Sequence, residues 1–201
     1  MYARGVPRLI LHKPNGLVAT VAVLAGCGDV VNLPNEGTAG CTVYEELGDL
    51  GALRGAVASQ IPQQPPTPPG NDDAKLIFLR APLTDNDALE ITLWDSYGAF
   101  GDNDVTTGKF SLTGVESNDR TCGLCVRLFG NIDAGMPLQR YIATGGSITL
   151  TSVTGKLVGS ASDLTFAEIA EGSTSGDTLP DGCMSTAAKF RFDVMIGASA
   201  R

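Results

Sequence analysis

From Ala74 onward the chain alternates apolar and polar residues with a period of two. Leu89, Ile91 and Leu93 are separated by Glu90 and Thr92, and Phe190, Phe192, Val194 and Ile196 by Arg191 and Asp193 and their neighbours. Alternation of this kind predicts strands with one buried face. Residues 75–80 are apolar on both faces and read as a central strand, and segments 108–113, 126–129, 139–143, 147–153 and 163–169 supply further strands. Asp-, Asn- and Gly-rich turns separate them, at 84–87, 101–104, 117–119, Gly145-Gly146, Thr154-Gly155 and the long 172–182 segment. About eight short strands at this spacing predict an all-β fold, an antiparallel sandwich or partly open barrel. No long helical pattern lies between them, which argues against a parallel α/β sheet.

Upstream of Ala74 the period is lost. Leu47, Leu50, Leu53, Val57 and Ile61 approximate helical spacing, but Gly48, Gly51 and Gly55 interrupt it, each worth about 1 kcal/mol against alanine in a helix. The segment stays open between helix and strand. Residues 62–73 carry five prolines and read as an exposed, extended loop. The expected layout is a signal segment at 1–26, a tether at 27–40, an irregular segment at 41–73 and a β domain at 74–201.

The signal segment is read from its own pattern. Arg4, Arg8 and Lys13 precede an apolar run from Leu17 to Ala25, which ends in small residues before Cys27. A run of about ten apolar residues is short of the roughly 20 that a spanning helix needs. The tetrapeptide Leu24-Ala25-Gly26-Cys27 resembles the lipobox of bacterial lipoproteins. That resemblance implies a diacylglyceryl group on the Cys27 sulfur, cleavage before it and an acylated amino terminus. Gly28, in place of an acid, resembles the pattern passed to the outer rather than the inner membrane.

Cysteine arithmetic agrees. There are five, Cys27, Cys41, Cys122, Cys125 and Cys183, and lipidation of Cys27 leaves an even four. An exported protein favours two disulfides among these four, with three pairings open. Cross-pairing of Cys41 and Cys183 with Cys122 and Cys125 is expected, since long loops constrain the unfolded chain by roughly 4 kcal/mol each. Cys122-Gly123-Leu124-Cys125 also has the spacing of a redox motif, but it leads into a strand where such a motif needs a helix amino terminus or a cation. A four-cysteine zinc site suits an oxidising compartment poorly.

Charge and composition exclude more than they nominate. The full chain of 201 residues carries a formal charge of −8, and loss of 1–26 removes three basic residues and no acidic ones, giving −11. That sign excludes nucleic-acid partners and a polybasic membrane patch. The one histidine, His12, lies in the signal segment, so the exported domain lacks a histidine base, nucleophile partner or zinc ligand. Carboxylate chemistry survives, with Glu90, Glu116, Glu168 and Glu171 as candidates, and a polysaccharide hydrolase would need two carboxylates roughly 5 to 9.5 Å apart across a groove.

The stretch Asp119-Arg-Thr-Cys-Gly-Leu-Cys-Val-Arg-Leu-Phe129, with Ala143-Thr-Gly-Gly-Ser-Ile-Thr-Leu-Thr-Ser152, Leu157-Val-Gly-Ser-Ala-Ser-Asp-Leu-Thr-Phe166 and Gly182-Cys183, resembles predicted lipoproteins of myxobacteria. The similarity spans most of residues 75–196. It implies export and a cysteine-stapled β domain, and carries over no activity.

Two binding features remain. Asp102 and Asp104 place carboxylates two apart in a turn, a candidate calcium site, although the twelve-residue calcium-loop pattern fails at Thr107 and Thr113. Asp85 and Asp87 repeat the arrangement, and turn preference alone accounts for both. Trp94 falls on the polar face of its strand, and with Tyr97 and Phe100 it suggests an aromatic platform; the competing expectation is that Trp94 covers a second layer. No other cofactor is nominated. The sequence therefore favours a lipid-anchored envelope module, non-enzymatic, that binds an unidentified protein or polysaccharide or serves structurally; the alternatives are the hydrolase and a Cys122/Cys125 redox protein.

Overall fold

The computed structural model describes residues 41, 43, 45–62, 75–101, 103–133, 136–170 and 174–198, all within one compact unit spanning 31–201. The expected signal segment, lipobox and tether, most of the proline-rich loop, Asp102 and Glu171 lie outside the described residues.

Among the described residues nine strands build the fold: β1 (Asp49–Ala52), β2 (Val57–Pro62), β3 (Lys75–Pro82), β4 (Ala88–Trp94), β5 (Gly108–Ser111), β6 (Leu124–Asp133), β7 (Met136–Ser152), β8 (Lys156–Glu168) and β9 (Met184–Ala198). Antiparallel pairing runs from β2 through β3, β4, β6, β7 and β8 to β9. The ring closes where β9 pairs parallel with β2, through Ala58–Ile196, Ser59–Gly197 and Gln60–Ala198. β1 also pairs parallel with β9, at residues 189–191, and β5 pairs with the second half of β7. The fold is thus all-β and, with two exceptions at β9, antiparallel.

Alternation places the core where the sequence predicts. Leu79, Leu89, Ile91, Leu93, Leu128, Ile148, Leu157 and Phe166 are fully buried and fill the ring. Each contributes about 1.5–3 kcal/mol relative to an exposed side chain.

One segment that the sequence leaves open and two departures from expectation have local causes. Residues 47–61 are strands and turns rather than a helix, because Gly48, Gly51 and Gly55 take φ of 62°, 63° and 64° and break the segment into short pieces. Gly145-Gly146 is no turn between two strands; β7 runs through it, with register shifts against β8. Gly146 has φ 94°, and a Cβ there would strike the backbone of Ser162 and Asp163. The bulge bends β7 as its pairing passes from β6 to β5. The second departure is the disulfides: Cys41 bonds to Cys183 and Cys122 to Cys125, with Cα separations of 5.7 and 5.3 Å. The expected cross-pairing fails because Cys122 and Cys125 lie at the start of β6, whereas Cys183 lies at the foot of β9, a strand that does not pair with β6. Proximity in the fold, rather than unfolded-loop entropy, selects the partners.

Candidate functional site

The outer faces of β4, β6 and β7 carry what the core alternation leaves over. On β4 these are Glu90, Thr92 and Trp94, on β6 Cys125, Arg127 and Phe129, and on β7 Arg140 and Ile142. Register sets Glu90 opposite Arg127 and Thr92 opposite Cys125. Ile142 is set opposite Arg127 and Arg140 opposite Phe129. A loop at 113–123 brings Asp119 and Cys122 to this face.

Arg127 is the centre of the resulting cluster. Its Nε donates to Asp119 Oδ1 at 2.5 Å, its Nη1 to Thr92 Oγ1 at 3.0 Å, and its Nη2 reaches Cys122 Sγ at 3.9 Å. Nη1 also lies 3.5 Å from Glu90 Oε1, and Arg140 Nη2 holds the other Asp119 oxygen at 3.0 Å. The Arg127, Asp119 and Glu90 side chains are only 10–13% exposed, so solvent screens these pairs little. Burial pushes the Glu90 carboxyl above its ordinary range, and the Arg127 charge opposes that rise.

Beside this cluster lies the Cys122–Cys125 disulfide, its residues 4% and 1% exposed and grouped with Ile142 and Ile169, with Trp94 packed against them. Glu116, 3% exposed, accepts the amides of the two residues between the cysteines, Leu124 N–H at 2.6 Å and Gly123 N–H at 3.4 Å. Burial raises the Glu116 carboxyl, opposed by the amides of Leu124, Gly123 and Ala99. The covering loop is held to the 174–178 segment by Asn118 Nδ2, which donates to Ser175 O and Asp177 Oδ1, and by Asp119 N–H to Gly176 O.

The two disulfides differ in what they contribute. With a sequence separation of 142, Cys41–Cys183 removes unfolded-chain entropy worth about 5 kcal/mol; with a separation of 3, Cys122–Cys125 removes about 2 kcal/mol. The long one staples the fold. Of the requirements for redox chemistry, the short one meets mutual bonding and a neighbouring cation, while its sulfurs are buried in the resting fold.

The remaining candidates are placed as follows. Trp94 lies on the outer face and is half-buried in the second layer, Tyr97 is half-buried, and Phe100 is 4% exposed, in edge contact with Phe110 at 5.3 Å. The aromatic platform is therefore corrected: Phe100 belongs to the core because a 3₁₀ turn at Gly98–Phe100 folds it inward. Asp104 is exposed, and among the described residues no three His, Cys, Asp or Glu side chains converge as metal ligands. Asp87 serves its turn, accepting from Thr84 Oγ1 at 2.9 Å and Asn131 N–H at 3.0 Å. Glu168 accepts Cys183 N–H at 2.9 Å. Glu90, Glu116 and Glu168 are thus each engaged within the fold rather than facing one another across a groove. A cleft of about 540 Å³ lies beside Cys41–Cys183, lined by Glu45, Glu46, Asp181 and Met184 among others, none of them nominated by the sequence.

Sequence reasoning also missed Arg127 and Asp95. Asp95 is 4% exposed and anchors the 95–105 loop by accepting Lys75 N–H at 2.8 Å and Val105 N–H at 2.7 Å. Arg127 had a legible signal: between Val126 and Leu128 it must share a face with Cys125. Comparison of the chain with protein-family models, with curated proteins and with solved structures finds no match among any of the three.

Proposed function

We propose that this chain is an exported, lipid-anchored envelope protein whose β domain is a binding or structural module, held at the outer rather than the inner membrane. The observation that supports this reading is the partition of the cysteines. Both disulfides form among the four that follow the lipobox, and Cys27 is the fifth. An exported domain gains two structural cross-links, and the remaining thiol stands where lipid attachment requires it. Cys41, the first described residue, is bonded to Cys183, so a pull through residues 28–40 would reach the domain through a covalent link rather than through β1 alone. Diacylglyceryl transfer plus amino-terminal acylation supplies the two or more chains that stable anchoring needs.

The filled ring interior directs binding to the outer surface, where a protein or polysaccharide partner would sit. Engagement of Glu90, Glu116 and Glu168 in structural hydrogen bonds favours a module over a hydrolase. The test is labelling with a radioactive fatty acid of cells expressing the chain with its signal. The parent is expected to incorporate the label and Cys27→Ser none. Equal labelling of Cys27→Ser and the parent would overturn the reading.

A further inference from the structure

We propose that Cys122–Cys125 is a thiol–disulfide exchange site that takes dithiol reductants and disulfide partners while Cys41–Cys183 keeps the barrel intact. The inference goes beyond anchoring and binding. It rests on three structural facts: the two cysteines are bonded to each other, Arg127 Nη2 lies 3.9 Å from Cys122 Sγ, and the covering loop is held to the 174–178 segment by exposed hydrogen bonds of Asn118 and by Asp119 N–H, and to this face by the Asp119 pairs with Arg127 and Arg140.

A disulfide sulfur is a poor acceptor, so in the oxidised state the guanidinium gains little from Cys122. A thiolate at the same position accepts a charge-assisted bond. The arrangement therefore stabilises the reduced form at Cys122, which raises the reduction potential and favours Cys122 as the nucleophile in the reverse direction. The cleft beside Cys41–Cys183 is lined, among the described residues, by Glu45, Glu46 and Asp181, which disfavour a thiolate.

The loop at 113–121 opens locally, parting Asp119 from Arg127 and Arg140 and Glu116 from the amides of Gly123 and Leu124. One thiolate of a dithiol attacks Cys122 Sγ, the more exposed of the two; the Cys122–Cys125 bond breaks, and Cys125 leaves as a thiolate and takes a proton from solvent. The second thiol of the reductant, deprotonated, attacks the reductant sulfur of the mixed disulfide and closes the oxidised dithiol. Cys122 departs as a thiolate onto Arg127. Two electrons enter the protein and two leave the dithiol. Asp119 and Glu90 balance Arg127 and Arg140 beforehand, and the new thiolate forms beside the Arg127 charge.

The experiment equilibrates the mature oxidised protein in graded ratios of reduced to oxidised dithiothreitol, then alkylates and maps each cysteine by mass. Trp94, the chain's one tryptophan, packs on this cluster and reports its reduction by fluorescence. Cys122 and Cys125 are expected to reduce at ratios at least 100-fold lower than Cys41 and Cys183, with the far-ultraviolet spectrum unchanged. In the reduced protein Cys122 is expected to alkylate faster than Cys125 at pH 7. Arg127→Lys, which keeps the charge but loses the fork, is expected to raise the ratio needed about tenfold, about 30 mV for a two-electron couple. Reduction of both disulfides together, only as the fold melts, would overturn the proposal, and so would equal alkylation rates at Cys122 and Cys125. The first of these comparisons needs no variant.

Discussion

Replacing Arg127 by alanine removes one cation from beneath two carboxylates that the fold has already taken out of water. Asp119 would keep Arg140 on one oxygen at 3.0 Å, but its other oxygen loses the 2.5 Å partner, and Glu90 loses the charge that offsets its burial. Breaking a buried pair in this way costs about 3–5 kcal/mol, mostly as the penalty of the charge left behind. The same substitution logic applied to Lys156–Asp193, whose side chains are 51% and 62% exposed, gives about 0–1 kcal/mol. With a urea m-value of about 2 kcal/mol/M, Arg127→Ala should lower the unfolding midpoint by about 1.5–2.5 M and Lys156→Ala by at most about 0.5 M. Equilibrium urea titration followed by Trp94 fluorescence measures both. Equal midpoints for the two variants would refute the claim that the outer-face cluster is a desolvated second layer.

Other perturbations follow from the same contacts. A carboxyl raised in the fold holds its proton where the unfolded chain has released it, so Glu90 and Glu116 each make stability fall as pH climbs from the ordinary value of 4.5 through the folded value. Glu116→Gln should flatten that decline by up to about 1.4 kcal/mol per pH unit, read as urea midpoints from pH 4.5 to 7; an unchanged pH profile counts against it. Gly123→Ala would drive a Cβ into the Tyr97 carbonyl and should destabilise by about 1–3 kcal/mol or more in thermal melts, whereas Val115→Ala, at a residue 57% exposed, should be near neutral. Leu128→Ala should cost about 2–5 kcal/mol, because its site in the ring interior is fully buried.

The strands were legible where one face is apolar. Residues 89–93 and 190–196 alternate cleanly, and both are strands whose apolar set faces the core. Residues 47–61 were not, because glycines at positive φ shorten the strands below the length at which a period of two can be read. The helical spacing of Leu47, Leu50 and Leu53 arises from turns that return each leucine toward the same core. β7 looked like two strands since a Gly-Gly bulge and a Gly-Gly turn share a sequence signature; only the facing Asp163, at φ 57°, distinguishes them. The disulfide pairing is not legible in the sequence, because the entropy of unfolded loops carries no information on which cysteines the folded path brings together. Of the aromatic trio, the face of Trp94 followed from alternation, but Phe100 did not, because a 3₁₀ turn lies between them. The Arg127 cluster was hidden for a related reason: Asp119 and Glu90 meet it only once β4 and β6 pair and the 113–123 loop folds over them.

The most direct test of the account is an unreduced peptide map of the mature protein purified from membranes, with the mass of its amino-terminal peptide. The account predicts a peptide beginning at Cys27 with diacylglyceryl and acyl mass, one cross-linked pair joining Cys41 to Cys183, and Cys122 bonded to Cys125 within a single peptide. An unmodified Cys27, or Cys41 or Cys183 bonded to either member of the 122/125 pair, would contradict it.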